Sequence, residues 1–268
     1  MKPGSVSIVV VALVGVLAGV ATMTWWDARG QPGPKAMPTT HGEWIVIPRG
    51  PNDSLRAYVA YPERKAPAPA IIVIHEIFGL TEWEPTVVDR LAGSGYVAIV
   101  PDMLSPRFGI TPPDPDSGRK LTALLTDAEV NASLDAAYGY INRLPAVQAG
   151  EVATIGFCWG GGRSFRYATA NPSLKAAIVC YGPAPDSSLM SGIRARVLGV
   201  YGEDDARIDA ALPDVERQLK GAGVDFRYEI YPGTGHGFLK PGRRGSDSPS
   251  VDRAWAAIFA FLAGTVGS

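Results

Sequence analysis

The residues with the clearest chemical potential are Gly156-Phe157-Cys158-Trp159-Gly160. They stand between an apolar run and a segment of helical pattern. This is a nucleophile elbow, G-x-S-x-G, with cysteine in place of serine. The turn is so tight that side chains flanking the nucleophile would collide, so glycine is required there. The Cys158 sulfur would project at a helix N-terminus, where the dipole favours a thiolate. A buried structural cysteine in a glycine-rich turn is the plain alternative. Cys180, which closes an apolar run without a glycine frame, reads as core.

A thiol nucleophile needs a base. His236 sits in Gly235-His236-Gly237-Phe238, where the glycines suggest a loop that presents the imidazole. His41 falls in a linker, and His75 closes a buried strand and reads as structural. A carboxylate should orient the imidazole and stabilise its charged form. Glu203, Asp204 and Asp205 compete for that task, against the reading of a solvated acidic turn. The chain order of nucleophile, acid and base is that of α/β-hydrolases. Glu76 follows the strand Ala70 to His75, in the loop that supplies one oxyanion donor in that fold. Those donors would be the backbone N–H groups of Ile77 and Trp159. A carboxylate beside them suits holding or taking the thiol proton, unless it is simply a surface glutamate.

The elements that must position these groups alternate. Strands are expected at 44–47, 55–60, 70–75, 96–100, 152–157, 176–180, 197–201 and 226–231. Helices are expected at 87–93, 127–143, 160–170, 208–220 and 251–262. The first two strands read as an antiparallel edge. The Pro-rich stretch 105–118 reads as a loop. Alternation means crossovers, hence a mostly parallel sheet with helices on both faces, an α/β fold. One such domain is expected over residues 41–268.

Residues 1–29 read as a signal peptide or signal anchor, the anchor preferred. Lys2 precedes an uncharged run from Val6 to Met23, close to the ~20 residues that span a bilayer. Trp25 and Trp26 suit an interface. Residues 30–40 are a Pro/Gly-rich linker. The domain is thus expected outside the cytoplasm, with membrane contact only through this segment.

Composition excludes other classes. Hydrophobic residues make up 46% of the 268, enough for a core and too many for a disordered chain. The net charge of -1 argues against nucleic-acid binding. Two cysteines cannot build a disulfide scaffold, and the three histidines are scattered, so neither a metal nor any cofactor is expected.

The segments HEIFGL (75–80), LAGSGYVAIVPD (91–102), GFCWGGG (156–162), YGEDDARI (201–208) and YPGTGHGF (231–238) resemble the dienelactone hydrolases, or carboxymethylenebutenolidases. The resemblance implies an α/β-hydrolase fold and a Cys158–His236–Asp205 triad, Asp205 being chosen by the order of DDARI. It implies a glutamate near the resting thiol at Glu76, and a thioester route for hydrolysing a small ester or lactone. Phe78, Arg107 and Lys240 are the candidate substrate-binding residues. The family holds a substrate carboxylate with two arginines. Arg107 stands near the place of the first and could equally be a solvated loop residue. Lys240 replaces the second and lacks its bidentate fork. The working unit is expected to be a monomer. A thioesterase or peptidase on the same triad, or a non-catalytic exported binding module, are the alternatives.

Overall fold

The computed structural model describes residues 40–267. The leader and all but the last residue of the linker lie outside them. Among the described residues no helix is long and apolar enough to cross a membrane.

Eight strands form one sheet: β1 (His41–Gly50), β2 (Asp53–Tyr61), β3 (Ala68–Ile74), β4 (Val97–Pro101), β5 (Val147–Phe157), β6 (Ala176–Cys180), β7 (Arg196–Gly202) and β8 (Phe226–Tyr231). Their order is β1-β2-β4-β3-β5-β6-β7-β8. β2 runs antiparallel to both β1 and β4, and the other pairings are parallel. The helices are α1 (Trp83–Gly93), α2 (Ser105–Phe108), α3 (Pro115–Thr122), α4 (Asp127–Ile141), α5 (Trp159–Ala170), α6 (Ala206–Asp209), α7 (Leu212–Gly221) and α8 (Pro249–Ala263).

The continuous apolar runs follow from burial on both faces. Ile72 and Ile74 of β3 join a core with α4, α5 and α7. Ile71 and Val73 join a second core with α1 and α8. Alternate side chains of one strand thus serve two cores. This is the α/β-hydrolase architecture expected from the sequence.

Four expectations need correction. His41, expected in a linker, opens β1 and pairs with Tyr61 of β2. The helix expected at 208–220 is two helices, α6 and α7. Pro213 lacks an N–H, and its ring would crowd the carbonyl of Asp209 four residues back, so the first helix stops there. The stretch 105–118 is not all loop. It holds α2, and α3 begins within it, where the Asp114 carboxylate accepts from the Ser117 amide at 2.9 Å and Pro115 takes the first helical position. Helix α1 begins one turn before Val87, because Pro85 is tolerated in a first turn.

Candidate active site

Four loops at the C-terminal edge of the parallel strands bring the candidate residues together, where α/β sheets place ligands. Cys158 joins β5 to α5 with φ 57° and ψ −115°. A non-glycine residue rarely adopts a positive φ, and such strain concentrates at functional turns. The Cys158 amide donates to the Cys180 carbonyl at 3.0 Å, which anchors the turn to β6. A Cβ on Gly156 would stand 1.9 Å from the Gly160 carbonyl oxygen, and one on Gly160 would stand 2.3 Å from those of Ile74 and His75. Backbone therefore touches backbone at the elbow, and only glycine fits at either position.

His236 Nδ1 lies 2.5 Å from Asp205 Oδ2. Asp205 is buried, while the imidazole is 36% exposed. The imidazole pKa is pushed up to about 9. The cause is first hydrogen bonding with the Cys158 side chain and then Asp205, against the opposing effect of burial. The two competing acids are engaged elsewhere. Asp204 pairs with Arg244 at 2.6 Å, and Glu203 accepts from the Gly233 amide at 2.9 Å. The edge of Tyr181 meets the His236 ring at 5.2 Å between centroids. Burial pushes the Cys180 thiol well up, consistent with a packing role.

His75 is fully buried. Its Nδ1 lies 2.7 Å from the Glu76 carbonyl oxygen, and its Nε2 accepts from the Met103 amide at 3.3 Å. Both ring nitrogens are thus satisfied, and the ring stacks on Trp159 at 5.5 Å. That stack and the Gly160 contact seat the loop after β3 against the start of α5. Among the described residues neither the Ile77 nor the Trp159 amide donates to a protein group.

Lys240 Nζ donates to Glu76 Oε2 at 2.7 Å. The Glu76 side chain is 3% exposed and that of Lys240 19%. Lys240, expected as a substrate cation, is thus committed to Glu76. Arg107 is likewise engaged, bonded to the Leu124 carbonyl at 2.9 Å and to Glu129 at 3.3 Å.

A cleft of about 1090 Å³ borders these loops at Phe78 and Lys240. Trp44, Trp83, Ile110 and Arg243 also line it. None of these four was singled out from the sequence. Arg243 carried a signal, since it lies in the same loop as His236. Trp44 and Ile110 reach the cleft only through the pairing of β1 and the turn after α2. Tyr181 was missed because nothing local marks the residue after a buried strand.

The dienelactone hydrolase family model matches residues 55–266. A Synechocystis protein named "Putative carboxymethylenebutenolidase" is 32% identical over 226 residues, covering 78% of this chain and 92% of its own. A Salmonella typhimurium protein of the same name is 34% identical over 230 residues, covering 79% and 83%. The crystal structure of a "Putative Dienelactone Hydrolase" from Klebsiella pneumoniae superposes with a TM-score of 0.75 at 29% identity, covering 84% of this chain and 99% of that one.

Proposed function

The chain belongs to the dienelactone hydrolase family and is a carboxylic ester hydrolase, and we propose that it works through Cys158 as a covalent nucleophile on small esters or lactones. One observation carries the nucleophile assignment. A free cysteine is held at positive φ at the start of α5, and its side chain together with Asp205 raises the pKa of the His236 imidazole that Asp205 orients.

In this reading the Cys158 thiolate attacks the ester carbonyl carbon. The carbonyl electrons move onto oxygen, which the Ile77 and Trp159 amides receive. Donors of this kind are worth ~3–4 kcal/mol to a transition state. As the tetrahedral intermediate collapses, the C–O bond breaks and protonated His236 gives its proton to the leaving oxygen, leaving a thioester on Cys158. A lactone opens at this step and remains attached through its acyl carbon. Neutral His236 then takes a proton from water, whose oxygen attacks the thioester. Acid is released and the thiolate–imidazolium pair restored. Asp205 keeps the imidazole turned and stabilises its charge.

Glu76 would oppose the oxyanion if left unpaired beside Ile77. Its bond to Lys240 supports a role in setting the resting site. With Lys240 bonded to Glu76 and Arg107 to Glu129, neither supports selection of a substrate carboxylate. The substrate class in this reading is therefore small esters and lactones generally, dienelactone being one member of it. The leader supports a place outside the cytoplasm, and proteolysis of intact and opened cells would test it.

The test is turnover of p-nitrophenyl acetate and cis-dienelactone by the full chain beside Cys158→Ala. Hydrolysis that vanishes in the variant supports the reading. Turnover that survives it moves the nucleophile elsewhere.

A further inference from the structure

We infer that the cleft beside the triad is a subsite for an extended apolar group, so that the preferred substrates are esters carrying a medium-length alkyl chain or an aryl group. This rests on the ester-hydrolase reading of the site and goes beyond it in substrate class. The cleft's about 1090 Å³ slightly exceeds the ~300–1,000 Å³ typical of sites for drug-sized ligands. A small lactone held at Cys158 would leave most of it empty.

Its walls are apolar and prebuilt. Trp44 and Ile110 are 48% and 51% exposed, large apolar side chains left open to water on a cleft rather than packed away. Contiguous exposed apolar surface of this kind marks ligand grooves. The Ile110 wall is rigid. Asp102, which is buried, accepts from the Thr111 hydroxyl at 2.6 Å and the Thr111 amide at 2.9 Å. The Thr111 hydroxyl oxygen in turn accepts from the Leu80 amide at 3.0 Å. Pro112 and Pro113 follow directly. This wall is thereby fixed to the loop that carries Ile77, so ordering it on binding costs little. Opposite, the Arg56 guanidinium lies 4.2 Å over the Trp44 ring, and Tyr58 lies 5.3 Å from it.

Two of the cleft's wall residues tie it to the site. Phe78, on its wall, follows Ile77 by one residue. Lys240, also on its wall, is bonded to Glu76. Lys240 is paired with Glu76, the Arg243 guanidinium lies 5.9 Å over the Phe78 ring, and apart from Glu82 the rest of the lining is uncharged. An apolar group lying along the Trp44, Trp83 and Ile110 walls is therefore the occupant that suits it.

The experiment uses the full chain and two series, p-nitrophenyl esters from acetate to octanoate and alkyl acetates from ethyl to octyl. A fully buried methylene is worth about fourfold in binding, so a half-open cleft gives about twofold per methylene. The expected result is a rise in kcat/KM of at least about tenfold along one series. Trp44→Ala and Ile110→Asn, each a half-exposed position, should lower the octanoate-to-acetate ratio several-fold. Flat or falling profiles in both series, with acetate still hydrolysed, overturn the inference and leave the ester-hydrolase reading standing. Binding is read separately, by calorimetry of octanamide against acetamide on Cys158→Ala. Trp44-dependent binding without any hydrolysis by the unmodified chain supports the subsite and overturns the catalytic reading. Absence of both overturns both.

Discussion

Lys240→Met removes the ammonium from a carboxylate that has almost no access to water. Glu76 is 3% exposed and its partner 19%, with the charges 2.7 Å apart. Removing one member of a buried pair costs about 3–5 kcal/mol, because the remaining charge is left without compensation. The ammonium keeps some solvent contact, so the lower end, about 3 kcal/mol, applies. For a domain of this size each kcal/mol lowers Tm by about 2–4 °C, giving a drop of about 6–12 °C. The double variant Glu76→Gln/Lys240→Met should recover much of that loss, since an amide carries no charge to strand. Urea unfolding followed by near-UV circular dichroism would give both values. A single variant within ~0.5 kcal/mol of the parent, or a double variant no better than the single, would refute a buried and mutually dependent pair.

Other expectations follow from the same geometry. With the His236 pKa at about 9, kcat/KM should fall above about pH 9, when the imidazolium that protonates the leaving group is lost. A raised histidine stabilises the fold fully below ~6.5 and loses that contribution as pH passes about 9. The shift corresponds to ~3.4 kcal/mol before screening, and the exposure of the ring discounts it to ~1–2 kcal/mol, measurable by unfolding at pH 6 and 10. Asp205→Asn should lower kcat by on the order of 10³-fold or more and move that alkaline limb downward. Gly160→Ala places a methyl 2.3 Å from two carbonyl oxygens of the neighbouring strand end, so it should cost about 3 kcal/mol or more and displace the nucleophile, seen as loss of both Tm and turnover. Arg107→Ala should change stability by less than about 1 kcal/mol and leave KM for a carboxylated lactone as it was, because its partner is an exposed glutamate.

Much of this architecture is legible because local pattern and global role coincide. Ala176–Cys180 and Phe226–Tyr231 have the bounds that their apolar and aromatic residues suggest. The glycines around Cys158 and His236 announce turns that present side chains. Long-range charge pairing is not written locally. Lys240 and Glu76 lie 164 residues apart, and a lone lysine near an active-site loop reads equally well as a substrate cation. The pairing of Arg107 is hidden for the same reason, its partner Glu129 being already engaged in the capping box of α4. The stretch around Asp114 misled by its proline count, although Asp-Pro is also how a helix begins. The helix at 208–220 misled because its apolar spacing continues across the break that Pro213 imposes. The cleft was invisible because its walls come from β1, the loop after β3 and the turn after α2, which only the sheet order assembles.

The central claim is that acyl transfer passes through Cys158, and trapping the intermediate tests it most directly. The full chain mixed with p-nitrophenyl acetate and quenched in acid within milliseconds should carry one acetyl group, located by peptide mass spectrometry on Cys158. The adduct should match the p-nitrophenol burst in amount and be absent from Cys158→Ala. An acetyl group on another residue, or undiminished turnover by Cys158→Ala, would contradict the account.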